Sequence, residues 1–192
     1  MTEPEPPVDG RSQRRTQNTD LVVDAMLDLL ASGNPWPSGA DIAEKAGLSE
    51  RSVFRYFDDL DTLARAAVER QVQRANPLFE PLPADGTRDE RIDRLVAHRL
   101  VMFDQVGAIV QAARMRSAMY EAIAIGLAVR RSQLRRQLQI LFATEVEGED
   151  DLLAALEVVS GLESLQALRV DRGLSARRTA RILHRSISAL LA

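Results

Sequence analysis

Cysteine is absent from this chain of 192 residues. Disulfides and thiolate metal sites are therefore excluded, and a reducing, cytoplasmic location is compatible. Histidine is scarce. The two present, His98 and His184, fall on different predicted helices with no acidic or metal-binding motif beside either. No metal ligand is assigned, and His98 reads as a residue packed at a pocket wall or surface. The chain has no glycine-rich phosphate loop, no serine elbow and no H-E-x-x-H. No catalytic residue and no cofactor is therefore expected, and the chain reads as a non-enzyme. No apolar run approaches the roughly 20 residues of a membrane span. The opening stretch MTEPEPPVDG is acidic and proline-rich, and it lacks the apolar segment of a secretory signal.

What is present is helical. Apolar residues make up 45% of the chain, with only 10 glycines and 8 prolines, and they recur at the helical period, which predicts an all-α fold. The length suits one full core, or a small domain joined to a larger one. A formal net charge of −3 does not advertise nucleic-acid binding, and residues 1–75 carry nine basic against thirteen acidic side chains. Affinity for DNA would have to come from a few placed cations, with weak non-specific binding. Arg11, Arg14 and Arg15 precede the first predicted helix, and Arg51 and Arg55 lie further on.

The most informative stretch is Ser38 to Phe57, SGADIAEKAGLSERSVFRYF. Ser38 with Asp41 three residues later is a helix-capping pattern. Ile42, Ala43 and Ala46 form an inward face, and Gly47 sits where a helix ends in a left-handed residue. Ser49 caps a second short helix in which Val53 and Phe57 make a buried stripe. Arg51, Ser52, Arg55 and Tyr56 are left on or near the outer face. Such a face suits a DNA major groove, where arginine reads guanine and hydroxyls bind phosphate or base edges. Two short helices of an ordinary all-α protein would show the same pattern.

The run Ile42-Ala43-x-x-Ala46-Gly47-Leu48-Ser49-x-x-Ser52-Val53-Phe54-x-Tyr56-Phe57, followed by Leu63, resembles the DNA-binding domain of the tetracycline-repressor (TetR) family over about residues 16 to 73. The chain departs from that pattern at Arg51 (often Gly), Phe54 (usually Tyr), Tyr56 (commonly His) and Leu60 (usually Lys). The resemblance implies an N-terminal three-helix DNA-binding domain over 14–75, with the helix–turn–helix motif at 37–56. It implies a helical ligand-binding and dimerisation domain over 76–192, about nine helices in all. Double-stranded operator DNA, a second copy of the chain and a small mostly apolar inducer become the expected partners, with no membrane. Candidate DNA contacts are Arg14, Arg15, Ser38, Ser49, Arg51, Ser52, Phe54, Arg55 and Tyr56. The alternative is an all-α dimeric interaction protein whose helix–turn–helix no longer reads DNA.

Along the chain, residues 1–13 read as a disordered tail and Thr19 to Ala31 as an amphipathic helix. Trp36 is expected to pack over the small domain's core. After Phe57, Asp58 or Asp59 caps a helix to about Ala75, and Asn76 to Gly86 is a proline-rich loop. Arg88 to about Gly107 and Ala108 to Met119 read as two helices bent at Gly107. Glu121 to Thr144 forms another, whose Arg130, Arg131, Arg135 and Arg136 read as a solvated face. Candidate pocket residues are Leu95, Arg99, Met102, Phe103, Ile109, Arg114, Met115, Tyr120 and Leu127. The last helices, Leu152 to Val170 and Ser175 to Leu191, carry apolar residues on more than one face. The resemblance implies that they pair with their copies as a four-helix interface through Leu156, Val159, Leu162, Leu183, Ile187 and Leu190.

Overall fold

The computed structural model describes residues 10–118 and 121–192, with side chains described from Gln13 onward and not at Ala122. The described residues are helical and contain no strand. The chain divides between Arg74 and Ala75 into two compact units.

The first unit holds α1 (Gly10–Ala31), α2 (Gly39–Ala46), α3 (Glu50–Tyr56) and α4 (Leu60–Ala75), the last reaching one residue past the division. Its buried side chains are Val22, Val23, Met26 and Leu30 of α1, the expected Ile42, Ala43, Val53 and Phe57 of the motif, and Leu63 and Ala67 of α4, whereas Leu21, Val68 and Val72 are exposed. Ser38 closes a full capping box with Asp41, and Gly47 ends α2 at φ 68°. Ser49 caps α3, and Asp59 caps α4 by accepting from the Thr62 N–H at 2.7 Å. Two expectations fail here. α1 begins at Gly10 rather than Thr19, so residues 10–13 are helical, not a disordered tail. The added turns are polar but rich in arginine and glutamine, which tolerate a helix well. The Thr19 hydroxyl bonds back to the Arg15 carbonyl at 2.9 Å instead of capping. Trp36 is half exposed, and Pro37 is the buried residue of that loop. The rest of the expected tail, residues 1–9, lies outside the described residues.

The second unit is built on one long helix, α5 (Arg88–Ser117). Thr87 and Glu90 form a capping box at its start. The expected bend at Gly107 is absent because the glycine makes room instead: a Cβ there would lie 3.0 Å from the Phe103 ring. α6 (Glu121–Leu141), α8 (Leu162–Gln166) and α9 (Ala176–Leu190) pack against α5, and α7 (Asp150–Ser160) packs on α6, α8 and α9. The predicted helix Leu152 to Val170 is broken at Gly161, which is extended (φ −72°, ψ 159°). A Cβ there would meet the Glu157 carbonyl oxygen at 2.9 Å. After α8 the coil widens to a π-type turn, Ala167–Asp171.

The side chains expected to face a second copy mostly lie in this chain's own core. Leu156, Leu183 and Ile187 are fully buried there with Ile92, Leu95, Leu138 and Phe142, and Leu162 is buried with Met102 and Val106. Val159 and Leu190 are partly buried against the same core. The strongest apolar stripe of a helix goes first to its own unit, so the surface left on α7 and α9 is different. It holds Val158, 70% exposed, and the exposed arginines Arg177, Arg181 and Arg185.

Gly47 tests the turn. Nothing lies within 4 Å of a Cβ built on it, so Gly47→Ala meets only the left-handed backbone penalty. It should cost about 1 kcal/mol in urea unfolding of the first unit, with the fold retained.

Candidate nucleic-acid interface and ligand cavity

In the first unit the expected DNA-facing residues divide into two groups. Ser38, Ser49 and Ser52 are committed to the helix ends. The Ser38 hydroxyl accepts from the Asp41 N–H at 3.1 Å and bonds its carboxylate at 2.8 Å, and the Ser49 and Ser52 hydroxyls lie 2.8 Å apart. They set the register of α2 and α3 more than they present free donors. Phe54, 42% exposed, lies against Gly39, where a Cβ would come within 2.9 Å of its ring. It locks α3 to the start of α2.

The second group is cationic. Arg14, Arg15, Asn18, Arg55 and Tyr56 line one depression of about 440 Å³. Asn18 Nδ2 donates to the Tyr56 hydroxyl at 2.9 Å, and Arg55 Nη2 donates to it at 2.7 Å, with the guanidinium 5.0 Å from the ring centroid. Two donors occupy the phenol oxygen's lone pairs, which leaves its own proton free to donate outward. The bond from Asn18, then that from Arg55, holds the phenol below its usual pKa. Asn18 was missed in the sequence; read on a helix that starts before Arg14, it follows that arginine by one turn.

Charge pairing explains how a net-acidic unit presents a basic edge. The α1 acids are paired: Asp20 and Asp24 bond Arg70, Asp24 also meets Arg74 at 2.8 Å, and Asp28 lies 3.3 Å from Lys45. Among the described residues Arg14, Arg15, Arg51 and Arg55 have no such acid.

In the second unit a cavity of about 340 Å³ is lined by apolar Phe79, Val110, Leu127, Leu134, Leu138 and Leu162, by Arg99, Arg114, Arg130, Arg131 and Arg135, and by the segment 157–164 around Gly161. Of the expected pocket residues it includes Arg99, Arg114 and Leu127. Leu95 and Met102 are core, Phe103 packs on the core's edge, and Ile109 and the exposed Met115 are not in the lining. Tyr120 lies outside the described residues. The basic run of α6 is not merely a solvated face. Arg130 lies 4.3 Å over the Phe79 ring and donates to Asn76 Oδ1 at 2.7 Å, while Arg135 pairs with Glu157 at 2.9 Å. Arg114 pairs with Glu163. Hydrophobic spacing alone could not find the wall at 157–164, because it depends on the break at Gly161.

Arg99 is 1% exposed. Its Nη1 donates to Gln137 Oε1 at 2.7 Å and meets His98 Nδ1 at 3.0 Å. Arginine only donates, so Nδ1 must be the unprotonated nitrogen and His98 is neutral. Burial first, then the Arg99 charge, pulls His98 from 6.5 to about 4. Burial lowers Arg99 itself to about 10, so it remains charged at pH 7. Gln137 in turn donates to the Leu78 and Glu80 carbonyls, at 3.0 and 2.5 Å.

Among the described residues no group of three or more His, Cys, Asp or Glu could hold a metal ion, and no helix is long and apolar enough to cross a membrane. A helix–turn–helix unit joined to a larger helical unit with a cavity defines an architecture, and solved structures share it. A transcriptional regulator from Rhodococcus sp. Rha1 superposes with a TM-score of 0.71 at 17% identity, covering 90% of this chain and 95% of that one. A TetR-family regulator from Streptomyces coelicolor gives 0.67 at 20% identity, covering 90% and 81%. A TetR regulator from Haloarcula marismortui gives 0.65 at 15%, covering 92% and 97%. The chain therefore has the fold of TetR-family transcriptional regulators. No family model matches the sequence, and no curated protein matches it.

Two titrations test these sites. The chain has two tyrosines; in an ultraviolet titration one should ionise below the usual phenol range, and Arg55→Ala or Asn18→Ala should raise it. Two ordinary tyrosines in the wild type would refute the contact. His98 has a folded pKa below its unfolded value, so between about pH 6.5 and 4 the unfolded chain binds more protons. Its contribution is complete above that window and is lost as pH falls through it. Urea unfolding of wild type should show this loss, with a shallower slope in His98→Gln.

Proposed function

We propose that the chain is a TetR-family DNA-binding transcriptional regulator, acting as a homodimer and most simply as a repressor that a small ligand releases from its operator. The observation that carries this reading is the juxtaposition of Arg14, Arg15 and Arg55 around the Tyr56 hydroxyl at the end of the second motif helix. Three cations and an outward phenol proton suit a DNA phosphate. Arg51, exposed on the same short helix, would contact a base edge or the backbone. Two copies would read half-sites about one DNA turn apart, or a multiple of it. α7, α8 and α9 would supply the dimer contact, through their outward faces rather than the buried leucines. The protein would act in the cytoplasm, without catalysis.

Release requires a ligand with different affinities for DNA-competent and incompetent states. The cavity of the second unit offers its site. The Arg99–Gln137 link runs to the backbone at Leu78 and Glu80, in the segment that directly follows α4 in the chain.

Fluorescence anisotropy on the DNA upstream of the protein's own gene, over a series of salt concentrations, tests the reading. Wild type should bind tightly and lose affinity steeply with salt. Arg55→Ala should weaken binding roughly tenfold to a hundredfold, and the salt slope should become shallower in Arg14→Ala/Arg15→Ala. Equal binding of wild type and Arg55→Ala to operator and scrambled DNA would instead favour a helix–turn–helix that no longer reads sequence.

A further inference from the structure

Arg99 is the most buried charge in the second unit, and nothing negative answers it. Among the described residues no carboxylate lies within ion-pair distance of it, and its only hydrogen-bond partners are the neutral His98 and Gln137, both engaging Nη1. Its Nε and Nη2 are buried without any partner. Those two nitrogens form one edge of the guanidinium, whose parallel N–H bonds match the two oxygens of a carboxylate. Leaving such donors empty in the interior is costly, and an isolated buried cation more so.

The rest of the cavity says which carboxylate. Its two acids already have partners, Glu163 with Arg114 and Glu157 with Arg135. They therefore neutralise the rim and do not compete for Arg99. Apart from Arg130, which covers Phe79, the exposed Arg131, and Ser160 and Ser164, the remaining wall is aliphatic and aromatic, from Phe79, Val110, Leu127, Leu134, Leu138 and Leu162. A volume of about 340 Å³ is at the small end for ligand sites and holds roughly ten or more water-sized groups.

We infer that this cavity is a site for a small amphipathic monocarboxylic acid, its carboxylate paired side-on with Nε and Nη2 of Arg99 once a side-chain shift uncovers that buried edge, and its apolar body against Phe79 and the leucines of α6. The inference rests on the reading of the second unit as the regulator's ligand-binding unit, and it adds the chemical class of the ligand. Both the charge and the apolar wall select: a neutral apolar molecule leaves the fork empty, and a small inorganic anion leaves the apolar wall uncovered.

The test uses the full chain and four probes in calorimetry: octanoate and 4-phenylbutyrate, and the matched neutral octan-1-ol and 4-phenylbutan-1-ol. The acids should bind saturably, about tenfold or more tightly than their alcohols. Arg99→Gln should abolish that preference while the alcohols bind as before, and Arg99→Lys, which keeps the charge but not the fork, should reduce it. Arg172→Gln, which alters an exposed cation outside the cavity lining, should retain it. The site is overturned if neither acid binds at millimolar concentration, if acids and alcohols bind alike, or if Arg99→Gln keeps the preference. Should the Arg99 variants fail to fold by circular dichroism, the acid-to-alcohol ratio in wild type alone decides between the two outcomes. Operator binding measured with the same probes separates the two levels. Acid binding that leaves DNA affinity unchanged upholds the site and removes the ligand-release part of the proposed function.

Discussion

A cation buried without a counter-charge is the constraint around which the second unit is arranged. Arg99 sits inside the 30-residue α5, and every neutral acceptor within reach is recruited to it. Gln137 leaves α6 to accept from it and holds the 78–80 backbone with its amide. His98 is forced into one tautomer. The linked groups are buried or partly buried, so they cannot exchange partners with water at little cost. The unit therefore keeps an unanswered cation in the wall of its cavity, beside arginines that are paired, stacked or exposed.

Charge is handled in the opposite way in the first unit. There the acids of α1 are drawn to Arg70, Arg74 and Lys45, while the arginines at the start of α1 and on α3 remain unpaired among the described residues. A chain with net charge −3 can thus keep a locally basic edge. The sum of charges is a poor guide to binding when pairing is directional, because a salt-bridged carboxylate contributes little field at the surface where its partner would otherwise dominate.

The sequence was most legible where local chemistry decides the structure. The Ser38–Asp41 box, Gly47 at positive φ, and Ser49 as cap are fixed by residues within one turn of each other, and each appears as read. Thr87-x-x-Glu90 carries the same signature and could have fixed the start of α5 as well. Legibility fell where tertiary packing decides. Gly107 suggested a bend, yet the Phe103 ring fills the space it leaves and the helix runs on. Gly161 lies inside the span expected as one helix, Leu152 to Val170, and is a break, which puts 157–164 into the cavity wall. Leu156, Leu183 and Ile187 have the spacing of an interface stripe, but the same spacing describes a core stripe, and periodicity cannot say which partner covers it. Arg99 was named as a pocket residue from its place among apolar neighbours; that it lacks an acid could be known only from the folded unit.

The most direct measurement of the central claim is an in vitro selection of fragmented genomic DNA on the purified full-length protein, run in parallel with an Arg51→Ala/Arg55→Ala variant. If the chain reads an operator as a dimer, the wild type should enrich fragments sharing an inverted repeat with half-sites about one helical turn apart, and the variant should not. Enrichment of no common sequence, or of the same fragments by both proteins, would contradict a sequence-reading role for α3.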